Sequence, residues 1–238
     1  LVRGEENTEV ALGIQRDGNI IDLSVMRKRV LNPVAEYRML DRNTGLVTIY
    51  NFDERCASET IAAIESLLSE GAQALIFDVR NNPGGYAEEM NKILDYLLPK
   101  GQLFKTVDYA GKEKVTNSDA KCLEMPMAVL VNASSYSAAE FFAAALREYE
   151  WAKVVGEQTS GKGYFQVVYE LSDGSAVGLS IGKYVTPKGV SLEGVGITPD
   201  VIVEVTQEQA AGIYAGTLDP MEDPQILAAV TALMEESK

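Results

Sequence analysis

Asn132-Ala-Ser-Ser-Tyr-Ser-Ala-Ala-Glu140 opens, and Thr159-Ser-Gly-Lys-Gly-Tyr-Phe-Gln166 closes, the stretch on which the reading of this sequence turns. Just ahead of it, Met127-Ala-Val-Leu-Val131 is an unbroken apolar run, short enough for a buried strand. Ala138 to Glu148 is a run of strong helix formers with Phe141, Phe142, Ala145 and Leu146 on one side. Ser137 therefore falls at a strand-to-helix turn. Amides at a helix start lack intrahelical acceptors and carry partial positive charge, so a serine there has two possible uses. It can cap the helix, or its oxygen can attack a carbonyl whose developing negative charge those amides stabilise.

The chain contains no histidine, which excludes every Ser-His-Asp and Cys-His arrangement. A nucleophilic Ser137 needs a lysine or a carboxylate as its base. A lysine works only if its surroundings lower its pKa from about 10.4 toward neutrality. Lys162 is the best candidate, placed between Gly161 and Gly163 and between apolar stretches that would desolvate it. Gln166 is the natural orienter, because a neutral amide can hydrogen-bond an amine without restoring its charge. A fully extended backbone would part residues 162 and 166 by roughly 13 Å, so a bend is expected, with Gly163 as its site.

Further from that stretch, the 238 residues, 46% apolar and 24% charged, suffice for one large domain with or without an appendage. A net charge of −14 argues against nucleic acid and anionic membrane surfaces as partners. No apolar run approaches the roughly 20 residues of a membrane helix, and no signal peptide reads at the N-terminus. Cys56 and Cys122 are too few for a disulfide framework or a zinc site and are expected to be unpaired buried thiols. No cluster has metal-ligand spacing, and no cofactor is implied.

Two strands, Glu9 to Gln15 and Ile20 to Arg27, flank the hairpin signal Asp17-Gly18. Residues 28–43, with Pro33 inside, read as a connector. The core is expected from Gly45: a strand at Leu46 to Tyr50, then a helix from Ser58 to Glu70 capped by Ser58 and stopped by Gly71. Next come a buried strand at Ala74 to Val79, the turn Arg80-Asn-Asn-Pro-Gly-Gly85, a helix from Ala87 to Leu98, and a strand at Leu103 to Tyr109. Strand, turn and helix thus occur twice, each turn at the carboxyl end of an apolar strand, where open α/β sheets place their sites. If the two strands are neighbours, an amide of Gly84 or Gly85 and the Ala138 amide point at one oxygen beside Ser137, forming an oxyanion hole; a tight loop without chemistry is the alternative. After Gln166 the pattern is of strands at Phe165 to Leu171 and Ala176 to Ile181, and a terminal helix, Gln225 to Glu235, begins at Asp223-Pro224 and covers the core or makes a dimer contact.

Two other motifs are weaker. Gly156-Glu-Gln-Thr-Ser-Gly-Lys162 matches a phosphate-binding loop up to its lysine, but Gly163 follows where magnesium binding needs Ser or Thr. Asp78 and Asp200 border strands and read as structural rather than as an aspartic dyad.

Ser-Tyr-Ser-Ala-Ala-Glu140 and Val155-Gly-Glu-Gln-Thr-Ser-Gly-Lys-Gly-Tyr-Phe-Gln166 resemble the active-site signature of the C-terminal processing, or tail-specific, serine proteases. The resemblance spans about Gly45 to Val205. It makes Ser137 the nucleophile, Lys162 (25 residues on, 162 − 137) the base, and Gln166 the residue that positions the lysine. It assigns the Asn-Pro-Gly-Gly turn to the oxyanion hole, with Gly85 favoured over Gly84 alongside Ala138. It implies an α/β fold: a layered parallel or mixed sheet with flanking helices, a Clp protease/crotonase-like ββα core. Residues 1–30, from Leu1-Val-Arg-Gly to the hairpin, resemble the last part of a PDZ domain; 31–44 is then the connector, 45–205 the catalytic core and 206–238 a C-terminal helical segment. The implied function is a serine endopeptidase cleaving proteins or peptides recognised through their C-termini, placed outside the bacterial cytoplasm. The alternative is a non-catalytic ligand-binding protein on the same scaffold. Tyr136 and Ser160 depart from the family pattern, which bears on pocket shape.

Overall fold

The computed structural model describes residues 2–236, the side chains of Arg42 and Glu236 aside. Leu1, which opens the stretch resembling a PDZ domain, lies outside the described residues. The chain divides into two compact units, Leu1–Pro33 and Val34–Lys238.

The first unit is a hairpin of β1 (Glu9–Arg16) and β2 (Asn19–Met26), paired in register from Glu9↔Met26 to Arg16↔Asn19. Asp17 and Gly18 both take positive φ, 51° and 78°, the two-residue turn whose twist suits a hairpin. Arg27 closes its open end by donating to the Thr8 hydroxyl (2.8 Å) and the Glu9 carbonyl (2.9 Å).

The second unit begins earlier than expected. Residues 31–44, read as a connector, contain β3 (Ala35–Leu40), which pairs antiparallel with β4 (Thr44–Ile49) at the edge of the main sheet. β3 lies at an edge, and Glu36, Tyr37 and Arg38 are exposed, so its sequence lacks a buried strand's apolar run. Then follow α1 (Cys56–Ser69), β5 (Ala74–Asp78), α2 (Ala87–Leu97), β6 (Gln102–Asp108), β7 (Glu113–Asn117), β8 (Met127–Val131) and α3 (Ala138–Glu148). The chain continues through β9 (Ala152–Gly156), β10 (Tyr164–Glu170), β11 (Ala176–Val185), β12 (Val201–Ile202), α4 (Gln207–Ala215) and α5 (Pro224–Glu236).

Six strands form the main sheet in the order β12-β9-β8-β5-β4-β3, parallel except for β3. Because side chains alternate across a strand, its faces bury different sets. Leu75, Phe77 and Val79, with Met127, Val129 and Val131, face α1, α2 and α3. Ile76, Ala128, Leu130 and Val155 meet Ile226, Ala229 and Leu233 of α5 on the other face. The terminal helix is therefore a core layer. A second, antiparallel sheet runs β10-β11-β6-β7.

Local capping differs from expectation in α1. Arg55, at φ 78°, is its N-cap, and the Ser58 hydroxyl instead donates back to the Arg55 carbonyl at 2.9 Å. Gly71, at φ 94°, follows the last turn as expected. Cys56 is buried and Cys122 half-buried, and neither is in a disulfide. No helix among the described residues is long and apolar enough to cross a membrane.

Candidate active site

The loops after β5 and β8 meet because those strands are parallel neighbours. Hydrogen bonds knit them together. The Asn81 amide donates to Asn132 Oδ1 and Asn132 Nδ2 returns to Asn81 Oδ1, both at 3.0 Å; the Tyr136 amide donates to the Asn82 carbonyl at 3.0 Å. Ser135, fully buried, donates its hydroxyl to the Val79 carbonyl at 2.8 Å.

This frame holds Ser137 at the N-cap of α3 with φ 52° and ψ −117°, outside the regions non-glycine residues ordinarily occupy. Such strain costs on the order of 1–3 kcal/mol and persists only where surrounding contacts impose it. Phe142 anchors the helix behind it, 5.5 Å edge-on to Phe77 and 5.7 Å from Phe52 between ring centroids.

Gly84 and Gly85 reach the turn from the other loop. A Cβ on Gly84, at φ 90°, would stand 2.9 Å from the Ser137 Cβ and 3.1 Å from the Ala138 amide nitrogen, so only glycine lets the two loops approach this closely. Their amides differ. Gly84 donates to Asn82 Oδ1 at 2.8 Å, while the Gly85 and Ala138 amides have no hydrogen-bond acceptor among the described residues. Asn82 is fully buried, its amide group fixed by a 2.8 Å bond to the Ile49 carbonyl.

Lys162 and Gln166 enter from the second sheet. Ser137, Gly84, Gly85, Lys162 and Gln166 all line one cleft of about 520 Å³, walled by Tyr86, Phe165 and Tyr184. Burial pushes the Tyr184 phenol above its ordinary pKa. The backbone around Lys162 is fixed: Gly161, at φ 83°, accepts from the Gly194 amide, and the Gly163 amide donates to Glu193 Oε2 at 2.6 Å.

Two expectations need correction here. Lys162 is exposed rather than desolvated by its apolar flanks, because Gly161 and Gly163 pack backbone to backbone on residues 193–196 and leave its side chain to the open cleft. Neither it nor the exposed Gln166 makes a side-chain hydrogen bond among the described residues. The positive φ falls at Gly161, not Gly163, and the irregularity in the ladder lies at Phe165/Gln166, opposite Gly182 and Ser180. Gly163 is required instead for space, since a Cβ there would lie 2.7 Å from the Glu193 amide.

Sequence reasoning gave no role to two residues that build this site. Asn82 carries no signal in the sequence beyond its place in the Arg80–Gly85 turn. Glu140 entered only as a signature residue, although a serine followed three residues later by glutamate is a capping-box pattern. The structure has that pair, with Glu140 Oε2 accepting the Ser137 amide at 2.9 Å. Asp78 and Asp200 lie in ion pairs, with Arg80 and Arg147 respectively.

Comparison with known proteins follows the same lines. The chain is 34% identical over 221 residues to a probable CtpA-like serine protease of Staphylococcus aureus (strain COL), which covers 91% of this chain and 44% of the relative. A Staphylococcus haemolyticus protein of the same description is 34% identical over 217 residues. The chain thus spans less than half the length of these relatives. Among solved structures, a photosystem II D1 C-terminal processing protease superposes with a TM-score of 0.68 at 27% identity, covering 94% of this chain and 63% of that one. A putative S41 protease from Bacteroides fragilis shares the fold, with a TM-score of 0.71 at 15% identity. The model of peptidase family S41 matches residues 43–203, the segment that carries every strand of the two sheets except the edge strand β3 and every residue of the cleft, and the chain belongs to that family.

Proposed function

We propose that this chain carries the core of a serine endopeptidase with a Ser-Lys-Gln site that cleaves protein or peptide substrates near their C-termini. The observation that carries the reading is the shared cleft: Ser137, Lys162 and Gln166 open onto one space whose floor includes Gly85. The amides of Gly85 and Ala138 have no acceptor among the described residues and can donate to a substrate oxygen. The bond from the Gly84 amide to Asn82 Oδ1 supports Gly85, alongside Ala138, as the oxyanion partner.

In the reaction, uncharged Lys162 Nζ takes the proton of Ser137 Oγ as the oxygen bonds to the scissile carbonyl carbon. The carbonyl oxygen becomes an oxyanion held by the Gly85 and Ala138 amides. Lys162 then gives its proton to the leaving amine as the C–N bond breaks, leaving an acyl ester on Ser137. Water, deprotonated by the now neutral Lys162 Nζ, attacks the ester carbonyl; as the ester C–O bond breaks, the proton passes from Nζ to Ser137 Oγ and the acyl group leaves as a carboxylic acid. Gln166 steadies the amine without adding charge, and a peptide lying in the cleft supplies the burial that Lys162 lacks in its absence. No step calls for a metal or cofactor.

Residues 1–30 read as the end of a PDZ-like domain through which substrate C-termini are recognised. Extracytoplasmic placement and a homodimer complete the reading. Fluorophosphonate labelling of the wild-type chain and of Ser137→Ala tests it. The wild type is expected to be labelled and to digest unfolded protein, and the variant to do neither. An unlabelled, inactive wild type leaves the non-catalytic binding protein as the better account.

A further inference from the structure

One carboxylate touches both halves of the proposed pair. Glu140, in the first turn of α3, is fully buried. Its Oε2 accepts the amides of Ser137 and Lys162, each at 2.9 Å. Its Oε1 accepts the Thr159 hydroxyl at 2.6 Å and the Gly161 amide at 2.7 Å. A carboxylate offers about four acceptor positions, and here four donors occupy them. No lysine or arginine side chain forms an ion pair with it among the described residues.

We propose that Glu140 is a positioning residue that sets the separation between Ser137 and Lys162; the inference rests on the Ser-Lys reading above. Capping α3 requires only the bond to the Ser137 amide. The other three bonds run to residues 159–162, which have no regular secondary structure of their own. That segment is otherwise held on its far side, by Thr159 and Gly161 to residues 194–197. On the side of the serine, three short bonds to Glu140 fasten it to the helix bearing Ser137, beside a longer one from the Ser160 amide to the Ser135 carbonyl. Because Oε2 is shared, the first turn of α3 and the backbone of Lys162 move as one body. The nucleophile stands at the start of α3 and the base just before β10 of the second sheet; besides the bonds to Glu140, the one bond among the described residues from 159–162 to the serine loop is the long contact from the Ser160 amide to the Ser135 carbonyl, 3.4 Å.

The test uses Glu140→Asp, which keeps the charge but withdraws both oxygens by one methylene, and Glu140→Gln, which turns an NH₂ group toward the amides. The readouts are the rate of fluorophosphonate labelling, kcat and KM on a fluorogenic peptide that the wild-type chain hydrolyses, and Tm. A displacement of about 1 Å at a reacting group can cost about 100-fold. Both variants are expected to lose about that much in kcat and in labelling rate, with KM within about threefold of wild type. Ala144→Gly, in the same helix but away from the cleft, serves as the control: it is expected to lower Tm and leave kcat alone. Glu140→Asp with kcat within threefold of wild type overturns the proposal, as does a loss that follows Tm in the way Ala144→Gly does. If the Glu140 variants do not fold, Thr159→Val removes one donor from outside the helix. An approximately tenfold fall in kcat at constant KM supports the clamp, and wild-type kcat overturns it. A wild-type chain that is not labelled defeats the Ser137 reading itself, and the clamp with it.

Discussion

Removing the carboxylate of Asp223 should destabilise the core by about 4 kcal/mol, far more than a surface charge would. The Arg80 guanidinium is almost fully buried, with 3% of its side chain exposed. It meets Asp78 through Nε and Nη2, and Asp223 Oδ2 through Nη1 at 2.8 Å. Burial pulls its pKa down, and Asp78 and Asp223 more than offset that, holding it above its ordinary value. Asp223 also begins α5: its Oδ1 accepts the Gln225 amide at 2.9 Å and the Ile226 amide at 3.3 Å. Breaking a buried pair by deleting one partner costs about 3–5 kcal/mol; since Asp78 still neutralises Arg80, the lower end, about 3, applies. The lost helix cap adds about 1 kcal/mol, which gives about 4 for Asp223→Ala. Asp223→Asn keeps the capping oxygen and loses only the charge-assisted bond, about 2 kcal/mol. At roughly 2–4 °C per kcal/mol for a chain of this size, Tm should fall by about 8–16 °C and about 4–8 °C respectively. Urea unfolding at 25 °C with a thermal melt measures both. An Asp223→Ala variant within about 1 kcal/mol of wild type, or an Asn variant as damaged as the Ala variant, would refute the accounting.

Gly84→Ala is expected to slow fluorophosphonate labelling by more than about 100-fold, because its Cβ would displace the Ser137 turn. Gly174→Ala carries a similar φ of 83° but meets nothing within 4 Å, so its labelling rate should match wild type; equal rates for the two variants would contradict the steric argument. Burial pushes the Cys56 thiol up to about 12, so at pH 8 it stays protonated as well as inaccessible. Ellman titration should then find one reactive thiol, Cys122, in the native chain and two in denaturant. Two fast equivalents in the native state would show that the α1 face is not closed. Peptidase activity should survive chelators, because proton transfer between Ser137 and Lys162 needs no metal. Loss of cleavage in EDTA would count against the metal-free mechanism.

How legible each element was in the sequence follows from its surroundings. β5, β8 and α3 lie at the centre of the sheet or against it, buried along one stripe or on both faces, and burial is what imposes periodicity on a sequence. β3 and β7 lie at sheet edges, with half of the residues of β3 and most of those of β7 in solvent, and α4 buries no residue, so none of the three carries an apolar pattern. α4 is held instead by its Thr206–Gln209 capping box and by Gly216 at φ 66°. The short β9 follows α3 directly and was not expected.

The sequence by itself supplied the candidates for the chemistry: the absence of histidine leaves a lysine or a carboxylate as the base for a nucleophilic serine, and Ser137, Lys162 and Gln166 stand at spacings that resemble a known signature. Those are local facts, written in residue types and short separations. Only the tertiary structure decided which glycine amide is available, because the Asn82 side chain that occupies the Gly84 amide is itself oriented by the Ile49 carbonyl, 33 residues away (82 − 49). It also decided that Lys162 opens to the cleft, and that Glu140 joins the serine turn to the lysine loop. Hydrogen bonds between segments 20 or more residues apart arise from the pairing of strands and the docking of sheets, and no residue announces its distant partner in advance.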